Sequence, residues 1–400
     1  MNPKNDFFKF YDFIMLFLIF CLMITSIVSI YSASKSGQYQ GGFVVRQSVF
    51  YFIGLTISII VATIDIDRIK RANWIIYGIC VLLLIVLMFA PESIAKPKNG
   101  AKAWFQLPII GSLQPSEFMK ISLILSISAL VDQHYKIFPI NNIKSDLLLL
   151  GKIALISLPP ALIVLKQPDT GMTIIFLVII FSIVLCSKIK ASIVVCLLSI
   201  PALMVSTLLV IIIKFPIYFE ERILSLLMPH QRSRITGWLD PFANSDAGFQ
   251  TKQGLLAIGT GQFSGKGYLN GTVYIPEAHT DFIFANIGED FGFIGGAVVI
   301  TLFFLFLSRI INIALAALKN TNNLFGSMIC VGTISVLAFQ IFQNIGMTIG
   351  LLPVTGITLP FISYGGSSLL SNMILIGIVQ SVRNSYSGYI FYNQAEGKYG

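Results

Sequence analysis

Ten long apolar stretches dominate this sequence and leave little chain for anything else. The first carries no charge between Phe13 and Tyr31, and an apolar stretch of about 18–25 residues can cross a bilayer as a helix. The stretches cover residues 12–32, 46–64, 73–91, 115–132, 147–165, 170–187, 191–213, 282–307, 324–350 and 361–382. We therefore expect an all-α polytopic membrane protein with ten transmembrane helices, in which residues 1–400 form a single membrane domain.

Composition excludes a soluble globular protein. Charged residues make up 11% of the chain, whereas an ordinary soluble domain has roughly 25%. The mean hydropathy is +0.82. The net charge of +9 comes from basic residues scattered between apolar stretches and not from a basic stripe, so the sequence does not predict a nucleic-acid partner.

The distribution of basic residues predicts the orientation in the membrane. An even number of spans places both termini on one side. The termini and the even-numbered connections carry fourteen Lys and Arg residues, and the short odd-numbered connections carry six. Because basic residues are retained in the cytoplasm, both termini are expected there. Residues 92–114 and the long loop 214–280 are then extracellular, so any chemistry is expected at the outer face.

The long loop contains two segments with a recognisable pattern. Residues 219–234 separate apolar from charged residues at near-helical spacing, which is typical of a helix lying in the headgroup plane. This helix is either an anchor or a site where Arg232 and Arg234 bind a lipid phosphate. The glycine-rich residues 259–267 look like a phosphate-binding loop, but Thr260 and Gly267 break that pattern, so we expect turns.

The end of the loop leads directly into the eighth span and admits two interpretations. Thr280 and Asp281 stand where a helix cap and first turn are expected. Alternatively, Asp281 is functional, because Asp281 and Glu289 share a helical face that Gly288 and Gly292 leave open.

Other polar residues at the ends of spans are also ambiguous. Glu117 and Lys120 share a face of the fourth span and form either a structural ion pair or the wall of a polar cavity. Trp104 is either an interfacial tryptophan or a ring on which a sugar stacks. Asp169 can cap the sixth span. The small and polar residues 363–368 allow either close helix packing or a cavity.

Together these segments resemble one family. The motifs are NGAKAWF at 99–105, QPSEFMK at 114–120, QPDTG at 167–171, PEAHTDF at 276–282 and LPFISYGGSS at 359–368. In this order they resemble the signatures of the SEDS proteins (shape, elongation, division and sporulation), which have ten spans and a long loop between spans seven and eight. The residues around Lys102 and the short tails are more similar to the elongation member RodA than to its close relative, the division member FtsW.

The resemblance implies a peptidoglycan glycosyltransferase. Such an enzyme polymerises lipid II, an undecaprenyl-diphosphate-linked disaccharide-pentapeptide, into β-1,4 glycan strands at the outer face of the cytoplasmic membrane during cell elongation. The expected partners are a class B penicillin-binding protein that crosslinks the strands and other elongation machinery. The family's essential acidic residue matches Asp281, its intramembrane pair matches Glu117 and Lys120, and its loop tryptophan matches Trp104.

One carboxylate suffices for this reaction. Lipid II is α-linked and the glycan is β-linked, so a single inverting displacement is expected, with Asp281 as general base on the acceptor 4-hydroxyl. A diphosphate leaves without a proton if its charge is stabilised. That role stays open among Arg46, Lys102, Lys120 and Arg234, with a divalent cation (Mg²⁺ or Mn²⁺) near Asp281 as an alternative. The remaining residues predicted to bind substrate are Trp104, Glu117, Asp169, His279, Ser363 and Ser367.

Two rival functions belong to other classes. Glu117, Lys120 and residues 363–368 would also suit a lipid II flippase. A flippase needs polar lining through both halves of the bilayer, and little is expected in the cytoplasmic half. A non-catalytic scaffold for a penicillin-binding protein is the third reading.

Overall fold

The computed structural model describes residues 11–35, 42–97, 100–107, 111–140, 142–242 and 246–396. Asn99 of the 99–105 motif lies outside the described residues, as do four of the basic residues used to predict orientation: Lys4, Lys9, Lys98 and Lys398. The long helices are α1 (Phe13–Lys35), α2 (Phe43–Ala62), α3 (Ile66–Phe89), α4 (Pro115–Ile137), α5 (Ile143–Lys166), α6 (Thr170–Cys186), α7 (Ala191–Lys214), α10 (Ile283–Thr321), α11 (Leu324–Thr348) and α12 (Gly366–Glu396). Between α7 and α10 lie α8 (Pro229–Leu239) and α9 (Asp246–Gly261).

A helix coincides with each of the ten predicted stretches. Among the described residues, seven helices are long and apolar enough to cross a membrane: α1, α2, α3, α5, α7, α10 and α11. The helices do not end where the predicted apolar stretches end, because polar residues extend the helices beyond those stretches. For example, α3 begins at Ile66 rather than at residue 73, and Asp65 caps it by accepting a hydrogen bond from the Asp67 N–H at 2.9 Å.

The central helix of the bundle is α4, although it is too polar to be one of the seven apolar helices named above. It packs against α3, α5, α6, α11 and α12, and most of its residues are buried. Its buried polar residues include Ser122, Ser126 and Lys120. A helix enclosed by other helices can carry polar groups that lipid would not tolerate, because neighbouring helices supply hydrogen-bond partners.

The helix α7 lies at the outside of the bundle. Within the described chain, none of its residues is buried. Its main contact is with the short helical turn that follows it, Pro216–Tyr218, and Ile193, Val194 and Leu197 near its start pack, partly buried, against the core. Helical turns continue through Phe219–Ile223 and Leu224–Leu226, and α8 begins at Pro229. The segment 219–234 is therefore helical apart from a break at Leu227 and Met228.

The two connections expected to be loops contain regular structure. Residues 92–114 include an antiparallel hairpin of β1 (Phe105–Leu107) and β2 (Gly111–Leu113), with Phe105 opposite Leu113. In the long connection, α9 runs to Gly261, so the prediction of turns is wrong for residues 259–261 and holds for residues 262–264.

Candidate active site

A cavity of about 810 Å³ lies at one end of the bundle. Its walls come from the connections α3–α4, α5–α6 and α11–α12, from α8, from the residues before α10 and from one side of α2. Seven residues predicted from the sequence line it: Arg46, Trp104, Glu117, Asp169, Arg234, Asp281 and Ser367. Charged and polar residues far apart in the sequence therefore meet in one chamber, together with apolar side chains.

The backbone that carries Asp281 is held from two directions. The Asn344 side chain in α11 donates a hydrogen bond to the Asp281 carbonyl oxygen at 2.8 Å. Ser363 donates one to the Thr280 carbonyl oxygen at 2.7 Å. The N-cap position of α10 is occupied by Phe282, without a side-chain capping bond. Asp281 is thus not the cap of this helix, and it lines the cavity.

A guanidinium group and the Asp281 carboxylate converge on the same part of the wall. Arg234, from α8, donates a hydrogen bond to the Thr355 carbonyl oxygen at 3.1 Å. Gly356 follows with φ +76°. A Cβ atom at Gly356 would lie 3.5 Å from Asp281 Oδ2 and 3.9 Å from Arg234 Nη2. The missing side chain leaves space for a ligand beside both charged groups.

The ion pair of α4 forms one boundary of the cavity. The Glu117 carboxylate lines the cavity, whereas Lys120 lies behind it, fully buried, and donates to Glu117 Oε2. Two residues of α12 complete the network, because Ser371 donates to Glu117 Oε2 at 2.8 Å and Asn372 accepts from Lys120 at 2.8 Å. The pair therefore holds α4 to α12, and only its Glu117 member is part of the cavity wall.

Asp169 combines a capping role with a place in the cavity. One carboxylate oxygen accepts from the Met172 N–H at 3.1 Å and caps α6, and the other accepts from the Gln114 side chain at 2.8 Å. Burial raises the pKa of the Asp169 carboxyl above its ordinary value, although both hydrogen bonds oppose that shift and the nearby Glu117 adds to it.

One wall of the cavity is formed by apolar side chains of α2. Val45, Val49 and Ile53 line the cavity from one face of α2, at successive helical turns. Each of these residues is also at least 40% exposed. This side of the chamber is therefore an exposed apolar surface.

Comparison with known proteins identifies the family. The family model of the cell cycle proteins FtsW, RodA and SpoVE matches residues 8–387. The chain belongs to the SEDS family. The resemblance that its motifs indicated is thereby confirmed.

Two curated SEDS relatives cover almost the whole chain. The probable peptidoglycan glycosyltransferase FtsW of Coxiella burnetii is 32% identical over 362 residues, which is 90% of each chain. The stage V sporulation protein E of Bacillus subtilis is 32% identical over 389 residues, 94% of this chain and 98% of the relative.

Solved SEDS structures have the same fold. A chain from a study of polymerization and crosslinking by a peptidoglycan synthase complex superposes with a TM-score of 0.72, at 27% identity over 94% of this chain and 98% of that one. RodA of Thermus thermophilus superposes with a TM-score of 0.66, at 25% identity over 94% of this chain and 97% of that one.

In this SEDS chain, four of the predicted site residues lie outside the cavity lining. Lys120 is one of them. The Lys102 ammonium group donates to the carbonyl oxygens of Met88, at 3.3 Å, and Ala90 at the end of α3. The His279 ring packs against Phe43, with 4.5 Å between the ring centroids. Ser363 is buried and anchors backbone.

The cavity of this SEDS chain also includes residues that motif analysis did not single out. Glu277 lines it beside Asp281, and Thr280 donates to Glu277 Oε2 at 2.9 Å. The position of Glu277 four residues before Asp281, in the same PEAHTDF motif, was the available signal. The predicted open face between Asp281 and Glu289 is wrong, because residues 258–273 pack against that face.

Proposed function

We propose that this chain is a peptidoglycan glycosyltransferase that polymerises lipid II into β-1,4 glycan strands. The name of the Coxiella relative supports the enzyme class. The observation that carries the proposal is a carboxylate, Asp281, beside a guanidinium group in a cavity that has several charged side chains and an apolar, exposed α2 side. Such a chamber suits a substrate with a charged sugar-diphosphate head and a lipid tail.

The proposal includes the membrane topology. All ten long helices cross the bilayer, both termini are cytoplasmic, and the cavity opens at the outer face of the cytoplasmic membrane. The excess of basic residues in even-numbered connections supports this orientation. The cavity lies at the end of the bundle where odd-numbered connections meet, which is consistent with it.

In the proposed mechanism, Asp281 accepts the proton of the acceptor sugar's 4-hydroxyl as that oxygen attacks the anomeric carbon of the donor. The configuration inverts and the diphosphate leaves without a proton. Of the four candidate cations, Arg46 and Arg234 line the cavity, whereas the ammonium groups of Lys102 and Lys120 have other partners. We therefore assign stabilisation of the diphosphate to Arg46 and Arg234.

A divalent cation is compatible with the cavity only if the substrate provides ligands. Among the described residues, no group of three or more His, Cys, Asp or Glu side chains could hold a metal ion. Glu277 and Asp281 both line the cavity. Mg²⁺ is commonly bound by one or two carboxylates together with substrate phosphates. Bound in that way, Mg²⁺ or Mn²⁺ would supply charge stabilisation.

We assign the chain to cell elongation and shape maintenance, with a class B penicillin-binding protein as partner alongside other elongation machinery. The residues around Lys102, which resemble RodA, support this role. The solved relatives include a RodA and a chain of a peptidoglycan synthase complex. Curated relatives named FtsW and stage V sporulation protein E make division and sporulation the roles to test against it.

A lipid II flippase is the second candidate, and one observation favours it. A second cavity of about 550 Å³ lies at the opposite end of the bundle, with polar lining that includes Asp65, Asp67, Lys70, Asp132 and Lys136. The expectation of little polar lining in that half is therefore wrong. Between the two cavities, however, α4 places Leu123, Ile124 and Ile127 in the hydrophobic core.

One experiment separates the candidates. Detergent-purified protein is incubated with labelled lipid II and no partner enzyme, and the same protein is reconstituted in vesicles to follow lipid II movement between leaflets. Glycan chains in the first assay support the glycosyltransferase. Movement between leaflets without polymer favours the flippase, and neither activity favours a scaffold.

A further inference from the structure

The helix α10, which follows Asp281, is broken nine residues after its start. Gly292 has φ +63° and ψ −157° and interrupts the helix, separating an initial segment, residues 283–291, from the long remainder. A break of this kind leaves backbone groups without their helical partners, and they must be satisfied elsewhere.

The glycine-rich residues 259–267 satisfy these groups. Before the break, the Glu289 and Asp290 carbonyl oxygens accept from the N–H groups of Lys266, at 2.9 Å, and Gly267, at 3.1 Å. After the break, the Phe293 N–H donates to the Gln262 carbonyl oxygen at 2.9 Å. The segment that looked like a phosphate loop therefore supplies backbone hydrogen bonds to α10 on both sides of its break.

The glycine-rich segment lies so close to the backbone of α10 that two of its positions, 261 and 265, must be glycine. A Cβ atom at Gly261 would overlap the carbonyl oxygen of Gly288, and one at Gly265 would overlap that of Asp290. Gly265 also has φ +82°. These positions tolerate no side chain without separating the two segments.

The buried carboxylate of Glu289 links the glycine-rich segment to residues 272–273, from which the chain leads to Asp281. Glu289 is 1% exposed, and its Oε1 accepts from Lys266 Nζ at 2.7 Å, from the Thr272 N–H at 2.8 Å and from the Val273 N–H at 3.0 Å. Lys266 Nζ also donates to the Thr272 hydroxyl at 2.7 Å. Charge-assisted bonds to backbone N–H groups are stronger than neutral ones, so residues 272–273 are held tightly.

The held residues begin the segment that presents Asp281. From Val273 the chain continues through Ile275 and Ala278, which are 1% and 2% exposed, and reaches Asp281 at the cavity. Glu289 thus joins the two stretches of chain that flank Asp281. It accepts hydrogen bonds from the start of residues 272–280, and it is itself part of the initial helical segment 283–291.

We propose that Glu289, paired with Lys266, is a positioning residue for the Asp281 carboxylate. The inference rests on the proposed function, in which Asp281 is the general base. Glu289 does not line the cavity and acts through the backbone segments that it joins. A displacement of a reacting group by about 1 Å costs about 10²-fold in rate, so loss of this anchor should lower turnover and leave substrate affinity largely intact.

The test measures kcat and KM for lipid II with purified full-length protein. Glu289→Ala should lower kcat about 10²-fold with KM within about threefold of wild type. Glu289→Gln retains an amide oxygen for Thr272 and Val273, so it should recover about 10-fold of that loss. Lys266→Met, which keeps the carboxylate and the backbone bonds, should lower kcat less than Glu289→Ala. If Glu289→Ala does not fold, the Gln and Met variants carry the test.

The matched control is Asp132→Asn, which removes another buried carboxylate from its ion pairs with Lys70 and Lys136 at the far end of the bundle. It should lower the melting temperature and leave kcat unchanged. Unchanged kcat in Glu289→Ala, beside an inactive Asp281→Asn, would overturn the positioning role alone. Full activity in Asp281→Asn would instead overturn the general base. A raised KM at normal kcat would contradict positioning and assign Glu289 to substrate binding.

Discussion

The side chain of Asn344 bridges two carbonyl oxygens, those of Asp281 and Ile357, with both N–O distances at 2.8 Å. One amide thereby joins Asp281, two residues before α10, to the connection between α11 and α12. Neither hydrogen bond involves the Asp281 carboxylate, so the bridge fixes where this residue lies without competing for its proton-accepting atoms.

Removing this bridge should harm both stability and turnover. Asn344→Ala removes this donor from the buried Ile357 carbonyl oxygen and the part-buried Asp281 carbonyl oxygen, at a cost of about 1–3 kcal/mol in unfolding free energy. We expect polymerisation to fall at least ~10-fold, because Asp281 loses an anchor. Asn142→Ala is the control: it removes the cap of α5, whose side chain accepts from the Lys144 N–H at 2.8 Å, and costs about 1 kcal/mol without slowing polymerisation. Equal activity of the two variants would contradict the prediction.

Neutralising Asp281 should nearly abolish polymerisation. Asp281→Asn keeps the size of the side chain and removes the proton acceptor, so the rate should fall by about 10²–10⁴-fold. Asp281→Glu restores the charge but displaces it, and about 10²-fold loss is expected. Polymer formed from labelled lipid II is the measurement. Asp65→Asn, which keeps a cap on α3, is the control, and near-normal polymer from Asp281→Asn would remove Asp281 from the mechanism.

Glu117 and Lys120 should behave as one unit. Glu117→Gln or Lys120→Met alone leaves an uncompensated charge in a buried network, and breaking a buried pair costs about 3–5 kcal/mol. The double variant removes both charges and should lose less stability than either single variant. Thermal unfolding and polymerisation of all three variants test this. Additive losses would instead indicate that the two residues contact substrate separately.

Asp169 should make the stability of the protein depend on pH. Because burial raises its pKa in the folded state, the folded protein holds this proton more tightly than the unfolded chain. Stability attributable to Asp169 is therefore greatest at acidic pH and falls as pH rises from about 4, the ordinary Asp pKa, through the higher folded value. Asp169→Asn should gain melting temperature relative to wild type from pH 4 to pH 7. A constant difference would contradict the shift.

Labelling of single cysteines tests the proposed orientation. Asn270 lies exposed in the long connection and Lys144 lies exposed near the start of α5. On a background without the five native cysteines, Asn270→Cys should react with an impermeant thiol reagent added to intact spheroplasts, and Lys144→Cys should react only after lysis. The reverse pattern would invert the topology.

Helix positions were predictable because lipid-facing and core-facing side chains are both apolar, so hydropathy marks a helix whichever way it faces. Helix ends were less predictable, since Arg68 and Lys70 lie in the first turns of α3 although they do not enter the apolar stretch. The shared location of Glu117 and Asp281 at one end of the bundle was also predictable, because both lie next to odd-numbered connections, which are all on the same side.

The hydrogen-bond and ion-pair partners of the site residues could be identified only from the tertiary structure. Lys102 is close to Trp104 in the sequence, yet its ammonium group binds carbonyl oxygens at the end of α3. Glu289 was expected on an open face with Asp281, whereas it pairs with Lys266 from the glycine-rich segment. That pairing depends on the left-handed backbone at Gly265 and Gly292, and periodicity along one helix does not reveal such a turn.

The apolar wall that α2 contributes to the cavity has a pharmacological consequence. In the proposed topology, a compound that enters beside Val45, Val49 and Ile53 arrives from the bilayer, so its membrane concentration and not its aqueous concentration governs occupancy. Within a series of inhibitors that make the same contacts with Arg234 and Asp281, potency should rise with lipid partitioning. Lengthening an alkyl tail by one methylene that stays in the hydrocarbon region should improve apparent affinity by about 0.8 kcal/mol, roughly fourfold.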